Sequence, residues 1–377
     1  MNTKFTIAIP TERMKTLSNE LFMMLGYFCT TYKCNYRYSM PPVSKHIFKL
    51  FLSTLLITSC VDKKREVDIS GINLELKISR LDLELFANDE SMQTKIPKLS
   101  KQYGEFFARY TEDMLNLGAV GDPALAGAYK QFVYDADISK VAENVSNEYE
   151  DFSMESLSLT NAFKRYKVLF PNRIVPEIVT IISGFTYKIA ATEKTLGIGL
   201  DMYLGENYSY YGSVQFPAYR KMTMERKNIA SDALTGWITT EFLKPDSSNA
   251  MIDEIIYEGK ILYLLDQMLP LVNDEIKIGY SIQQLKWCAD NEMAMWGHFV
   301  NEKLLFSQIK GDYFKYVNDG PFTPGFDRAS PSRTGNWLGW QIVRRYMETN
   351  PTISATELMN NRDAQGILNT SNYKPKK

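Results

Sequence analysis

The segment IIYEGKILYLLDQMLP, residues 255–270, places a carboxylate where chemistry could follow. Its apolar spacing predicts a helix that ends at Pro270, because a proline ring cannot continue the helical hydrogen-bond ladder. At about 100° per residue, Asp253, Lys260 and Gln267 share one polar stripe, and Leu262, Leu265 and Leu269 take the opposite face. Glu258 falls in the middle of that apolar face. A carboxylate buried without a partner costs several kcal/mol or is driven neutral by an upward pKa shift. Such a glutamate is a working acid, a relic of one, or a structural group. The working version is the His-Glu-x-x-His helix of zinc proteases: two imidazoles one turn apart hold the metal, and the glutamate activates its water. With Glu258 set on that glutamate, the ligand positions are Tyr257 and Ile261. Isoleucine has no donor atom and a neutral phenol is a poor ligand, so neither a metal site nor a catalytic residue is expected here. The expectation is a structural carboxylate with a non-metal partner.

Other chemistries find little support. Gly197-Ile198-Gly199 lacks the third glycine of a dinucleotide fingerprint, since Met202 stands there. There is no phosphate-binding loop and no Gly-x-Ser-x-Gly elbow, and no cofactor is expected. The only histidines are His46 and His298, and nothing in the sequence nominates triad partners for His298. Five aromatics (Tyr208, Tyr210, Tyr211, Phe216, Tyr219) beside Arg220 and Lys221 suit a glycan or peptide strip; the plainer expectation is a loop packed over the sheet. Gly335 and Gly339, one turn apart, suit close helix packing.

The positioning elements follow from periodicity. INLELKIS alternates, with Ile72, Leu74, Leu76 and Ile78 on one face, which predicts a half-buried strand. After Arg80 the phase slips, as at a bulge or a helix start. A long helix is expected over 96–114 and another over 156–168. EIVTIISG, FTYKIA and LGIGLDMYL predict a small sheet. Helices are expected at 230–243, 250–269, 281–305 and 334–349, and a last one from Ser354, with Glu357 completing a capping box. The fold class is α+β: one predominantly helical domain with a small β-sheet, spanning 71–377.

Of 377 residues, 45% are hydrophobic and the net charge is −1. Without a basic tract, nucleic acid is not an expected partner. Three of the four cysteines, Cys29, Cys34 and Cys60, precede residue 61, leaving Cys288 alone in the main body, so no internal disulfide is expected there. From Met40, Lys45 and Lys49 precede an apolar run of about a dozen residues, shorter than the roughly 20 of a spanning helix. Ile57-Thr58-Ser59-Cys60 then resembles a bacterial lipobox, in which the Cys60 thiol accepts the lipid. The reading is a lipoprotein signal over 40–59, a charged tether over 60–70, and a non-native or disordered extension over 1–39.

Several stretches together resemble the gliding motility lipoprotein GldB family of Bacteroidetes-type gliding bacteria. They are the lipobox, KISRLDLELF (77–86), LGIGLDMYLG (196–205), IIYEGKILYLLDQMLP, WGHFVNEKLLFS (296–307) and PSRTGNWLGWQIV (331–343), in order along 60–377. That family is in turn similar to zinc proteases, so the resemblance implies a zincin-like fold with a degenerate site at Tyr257, Glu258 and Ile261. Glu292 would stand at the third, acidic ligand position, and Glu292, His298 and Arg333 would line the residual cleft. It further implies a non-enzymatic envelope protein, lipid-anchored at the outer membrane facing the periplasm. Its partners would be other envelope proteins of the gliding and secretion machinery. Two alternatives stand beside it: a metal-dependent hydrolase built from Glu258, Glu292 and His298, and a peptide- or glycan-binding module whose groove is lined by Tyr257 and the 206–221 aromatics.

Overall fold

The run EIVTI is apolar at successive positions, which suits a strand covered on both faces. In the computed structural model, which describes residues 66–244 and 249–376, it forms β2 (Glu177–Ile181) of a four-stranded sheet. The other strands are β1 (Ile78–Arg80), β3 (Ile189–Ala191) and β4 (Thr195–Gly199), in the order β1-β2-β4-β3. β1 and β4 run parallel to β2, and β3 runs antiparallel to β4. Val179 and Ile181 face one helical layer; Ile178, Leu196 and Ile198 face a second, larger one. Gly197 points into the first layer, where a side chain would strike the Phe106 ring: a Cβ would lie 2.6 Å from Phe106 Cζ. The glycines of LGIG thus serve packing.

The smaller layer is α1 (Leu81–Phe86), α2 (Met92–Arg109) and α3 (Leu125–Val133). α4 (Ala136–Glu148) and α5 (Ser153–Leu169) follow, then, after the sheet, short helices α6 (Ser209–Ser213) and α7 (Ala218–Lys221). The larger layer is built on α8 (Ile229–Glu241), α9 (Met251–Met268) and α14 (Thr334–Thr349). Between the last two come α10 (Asp274–Ile278), α11 (Ile282–Asp290), α12 (Glu292–Asn301) and α13 (Lys310–Val317). α15 (Ala355–Asn360) and α16 (Ala364–Ser371) close the chain. The class is α+β as expected, and the described residues form one compact unit.

Some expectations need correction. INLELKIS keeps its alternating burial, but only Ile78–Arg80 pairs, because its one neighbour, β2, begins at Glu177 and offers no strand to the residues before it. The phase slip after Arg80 is a helix start. The long helix over 96–114 begins at Met92, breaks at Gly104 (φ 52°, ψ −126°) and ends in a π turn over Tyr110–Met114. The helix expected over 281–305 is two, parted at Asn291, whose side-chain amide donates to Trp287 O at 2.8 Å and closes the first. α3 and α4 are additions; Asp135 caps α4 by accepting from the Asp137 and Ile138 N–H groups, each at 3.0 Å. The extension over 1–39, the signal over 40–59 and Cys60 lie outside the described residues, with all but the end of the tether.

Candidate functional site

α9 is the central helix of the larger layer and packs most extensively on α14. It is buried on nearly every side, so its polar residues have few routes to water. Asp253 starts it, accepting from Ala250 N at 3.1 Å. Leu262, Leu265 and Leu269 are buried as expected, but the polar stripe is not a solvent face. Lys260 is only 6% exposed, and its ammonium donates to Asn361 O in the turn between α15 and α16. Without an ion-pair partner among the described residues, burial alone lowers its pKa to about 8. Asp253 and Lys260 line a cavity of about 510 Å³.

The three positions aligned with the zinc-protease motif part company. Tyr257 borders the same cavity, and its hydroxyl donates to Phe242 O at 2.9 Å. Burial first, then the charges of Glu258 and Glu254, push its pKa up to about 12, so it is a neutral phenol at physiological pH. Ile261 is 1% exposed in the core. Glu258 is half-buried and has neither a hydrogen bond nor an ion pair among the described residues. The non-metal partner expected from the sequence is thus not found among the described residues. Burial raises the Glu258 carboxyl above its ordinary value; the positive charges of Arg333 and Lys244 oppose this, and Glu254 and Asp319 add to it.

A carboxyl raised in the folded state binds more protons than the unfolded chain between its unfolded value, about 4.3, and its folded one. Its contribution is complete below the lower value and lost as pH rises through the upper. Glu258→Gln removes that loss, so relative to wild type it is expected to gain stability as pH rises from about 4 to 7. Urea unfolding at both pH values reads this. A variant more destabilised at pH 7 than at pH 4 would mean that the carboxylate is in fact paired.

Glu292 and His298 do not join Glu258, and Arg333 acts on it through its charge without a hydrogen bond or ion pair. Glu292 is buried and accepts the Tyr373 hydroxyl at 2.6 Å. His298 Nε2 shares a hydrogen bond with Tyr316 Oη at 2.7 Å, and its ring sits among Phe299, Tyr316 and Phe326. Arg333, at φ 56° before α14, donates to Ile278 O at 2.7 Å and lies 2.9 Å from Asp319 Oδ1. Among the described residues no three His, Cys, Asp or Glu side chains gather at metal-binding spacing. The 206–221 aromatics also lie apart from Tyr257: Tyr208, Tyr210 and Tyr211 pack on Phe185, and none of the segment lines the cavity. Cys288 is buried and free.

Sequence reasoning missed the strongest charge cluster. Asp266, one turn beyond Leu262 on α9, takes two hydrogen bonds from Arg344 (2.7 Å each), one from Lys277 (2.9 Å) and one from Trp340 Nε1 (3.0 Å). The helical projection that singled out Glu258 puts Asp266 about 80° round from it, at the edge of the apolar face, and so gave no signal for its burial. α9 thus bears two inward carboxylates, one fully partnered and one not.

These features define a helix-rich α+β domain on a short mixed sheet, with a buried-side glutamate on its central helix and, among the described residues, no metal-binding cluster. The chain belongs to the gliding motility protein GldB family, whose model matches residues 62–375. That membership gives it a role in gliding motility, and the family is a lipoprotein family by name. No curated protein and no solved structure matches the chain. Among the described residues no helix is long and apolar enough to cross a membrane.

Proposed function

We propose that the chain acts in gliding motility as a lipid-anchored, non-catalytic component of the envelope, on a zincin-related scaffold whose active-site helix no longer binds metal. The observation that supports this reading is the divergence at α9: Tyr257 commits its hydroxyl to Phe242 O, Ile261 is core, and Glu258 stands alone. A general base for metal-bound water needs ligands beside it on one face, and these side chains supply none. The anchor is Cys60, the membrane is the outer membrane seen from the periplasm, and the partners are envelope proteins of the gliding and secretion machinery.

Complementation of a deletion strain tests both halves. Cys60→Ala is expected to abolish colony spreading while the protein still accumulates; full spreading by unanchored protein would remove the anchor from the function. Glu258→Gln is expected to spread as wild type. Loss of spreading by a Glu258→Gln protein of normal stability, together with stoichiometric metal in the purified chain, would instead favour hydrolysis.

A further inference from the structure

The cavity beside Tyr257 has a composition the non-catalytic reading does not explain. Its volume of about 510 Å³ falls within the roughly 300–1,000 Å³ of small-molecule sites. Three lysines are buried among the described residues, and two have carboxylates: Lys95 meets Asp89, and Lys277 meets Asp266 and Asp274. Lys260 has only the Asn361 carbonyl, one acceptor for three N–H donors. Next in the chain after Asn361 is Arg362, on the rim of the same cavity and without a partner among the described residues. The other cations on the wall are engaged: Arg173 pairs with Glu241 at 2.7 Å, and Lys244 pairs with Glu254. An ammonium with unfilled donors and a free guanidinium thus meet one cavity. Phe242 and Met359 add apolar wall for the rest of a molecule.

We propose that this cavity binds a small ligand through its oxyanion, a carboxylate or a phosphate, seated on Lys260 and Arg362. The anion supplies the charge that Lys260 lacks, and the buried ammonium supplies a charge-assisted bond. The lowered pKa of Lys260 agrees with an ammonium awaiting a counter-ion, and a bound anion would raise it. Binding here is independent of the non-catalytic reading, because it is measured without turnover or motility.

The full chain in detergent is titrated with inorganic phosphate and, separately, with trialanine and its carboxamide, by calorimetry. Saturable binding of phosphate or of the free acid is expected, with the carboxamide silent; which of the two binds identifies the source of the oxyanion. Arg362→Ala, a change on the rim that leaves the core intact, and Lys260→Met are each expected to weaken binding by about tenfold or more. Lysine side-chain NMR should show the Lys260 titration moving upward when the bound anion saturates. No binding of either anion up to about 10 mM, or affinity unchanged in both variants, would overturn the proposal.

Discussion

Asp266→Ala is expected to cost about 3–5 kcal/mol of folding stability, the range for removing one partner of a buried ion pair. The Asp266 side chain is 2% exposed, and so is that of Lys277. Arg344 grips both carboxylate oxygens with its fork, stacks 3.7 Å over the Trp340 ring, and reaches on to Asp274 at 2.7 Å. Alanine leaves a buried ammonium and the Trp340 N–H short of an acceptor, and a domain stable by about 5–15 kcal/mol would lose much of its margin. Burial alone would raise the Asp266 carboxyl, but the hydrogen bonds and charge of Arg344, then those of Lys277, hold it below its ordinary value. Its stabilisation is therefore complete above the unfolded value of about 3.9 and is lost as pH falls through the lower folded value. Urea unfolding should show the penalty of the variant shrinking in acid. Asp266→Leu combined with Lys277→Met, which removes both buried charges, should recover part of the loss. If the double variant is no better than Asp266→Ala, the Lys277 ammonium, left with Asp274 alone, is not the source of the cost.

Gly339→Ala should be nearly as damaging, by steric exclusion. A Cβ at Gly339 would lie 1.7 Å from Ile255 O, and one at Gly259 would lie 2.4 Å from the Gly339 carbonyl carbon. Both obstacles are backbone, so no rotamer change can make room and α9 and α14 would have to part. Overpacking costs about 1–3 kcal/mol and sometimes more; contact with backbone puts this substitution at about 3 kcal/mol or beyond. Gly297→Ala is the control. It lies within α12, where an added methyl would meet nothing within 4 Å, and alanine there should stabilise by about 0.5–1 kcal/mol through helix propensity. Thermal unfolding of the two variants decides the matter. Equal effects would mean that the α9–α14 crossing relaxes freely, contrary to a contact between two backbones.

The apolar run of β2, the helix start after Arg80, the Ser354 capping box and the close packing at Gly335 and Gly339 were all legible in the residues, since each depends on positions close together in the chain. Periodicity also located the face of α9 that turns inward. It could not say what meets that face. Glu258 sits in the middle of the apolar face and Asp266 about 80° round from it, yet Arg344 arrives 78 residues later to pair with Asp266, and among the described residues no group pairs with Glu258. Lys260 reads as part of a solvated stripe, but Asn361, 101 residues on, covers it. Residue type and local spacing were enough to specify most of the elements, their apolar faces and the lack of zinc ligands at 257 and 261. Which inward charges are neutralised emerged only on folding, because the energy of a buried charge depends on neighbours brought from distant parts of the chain.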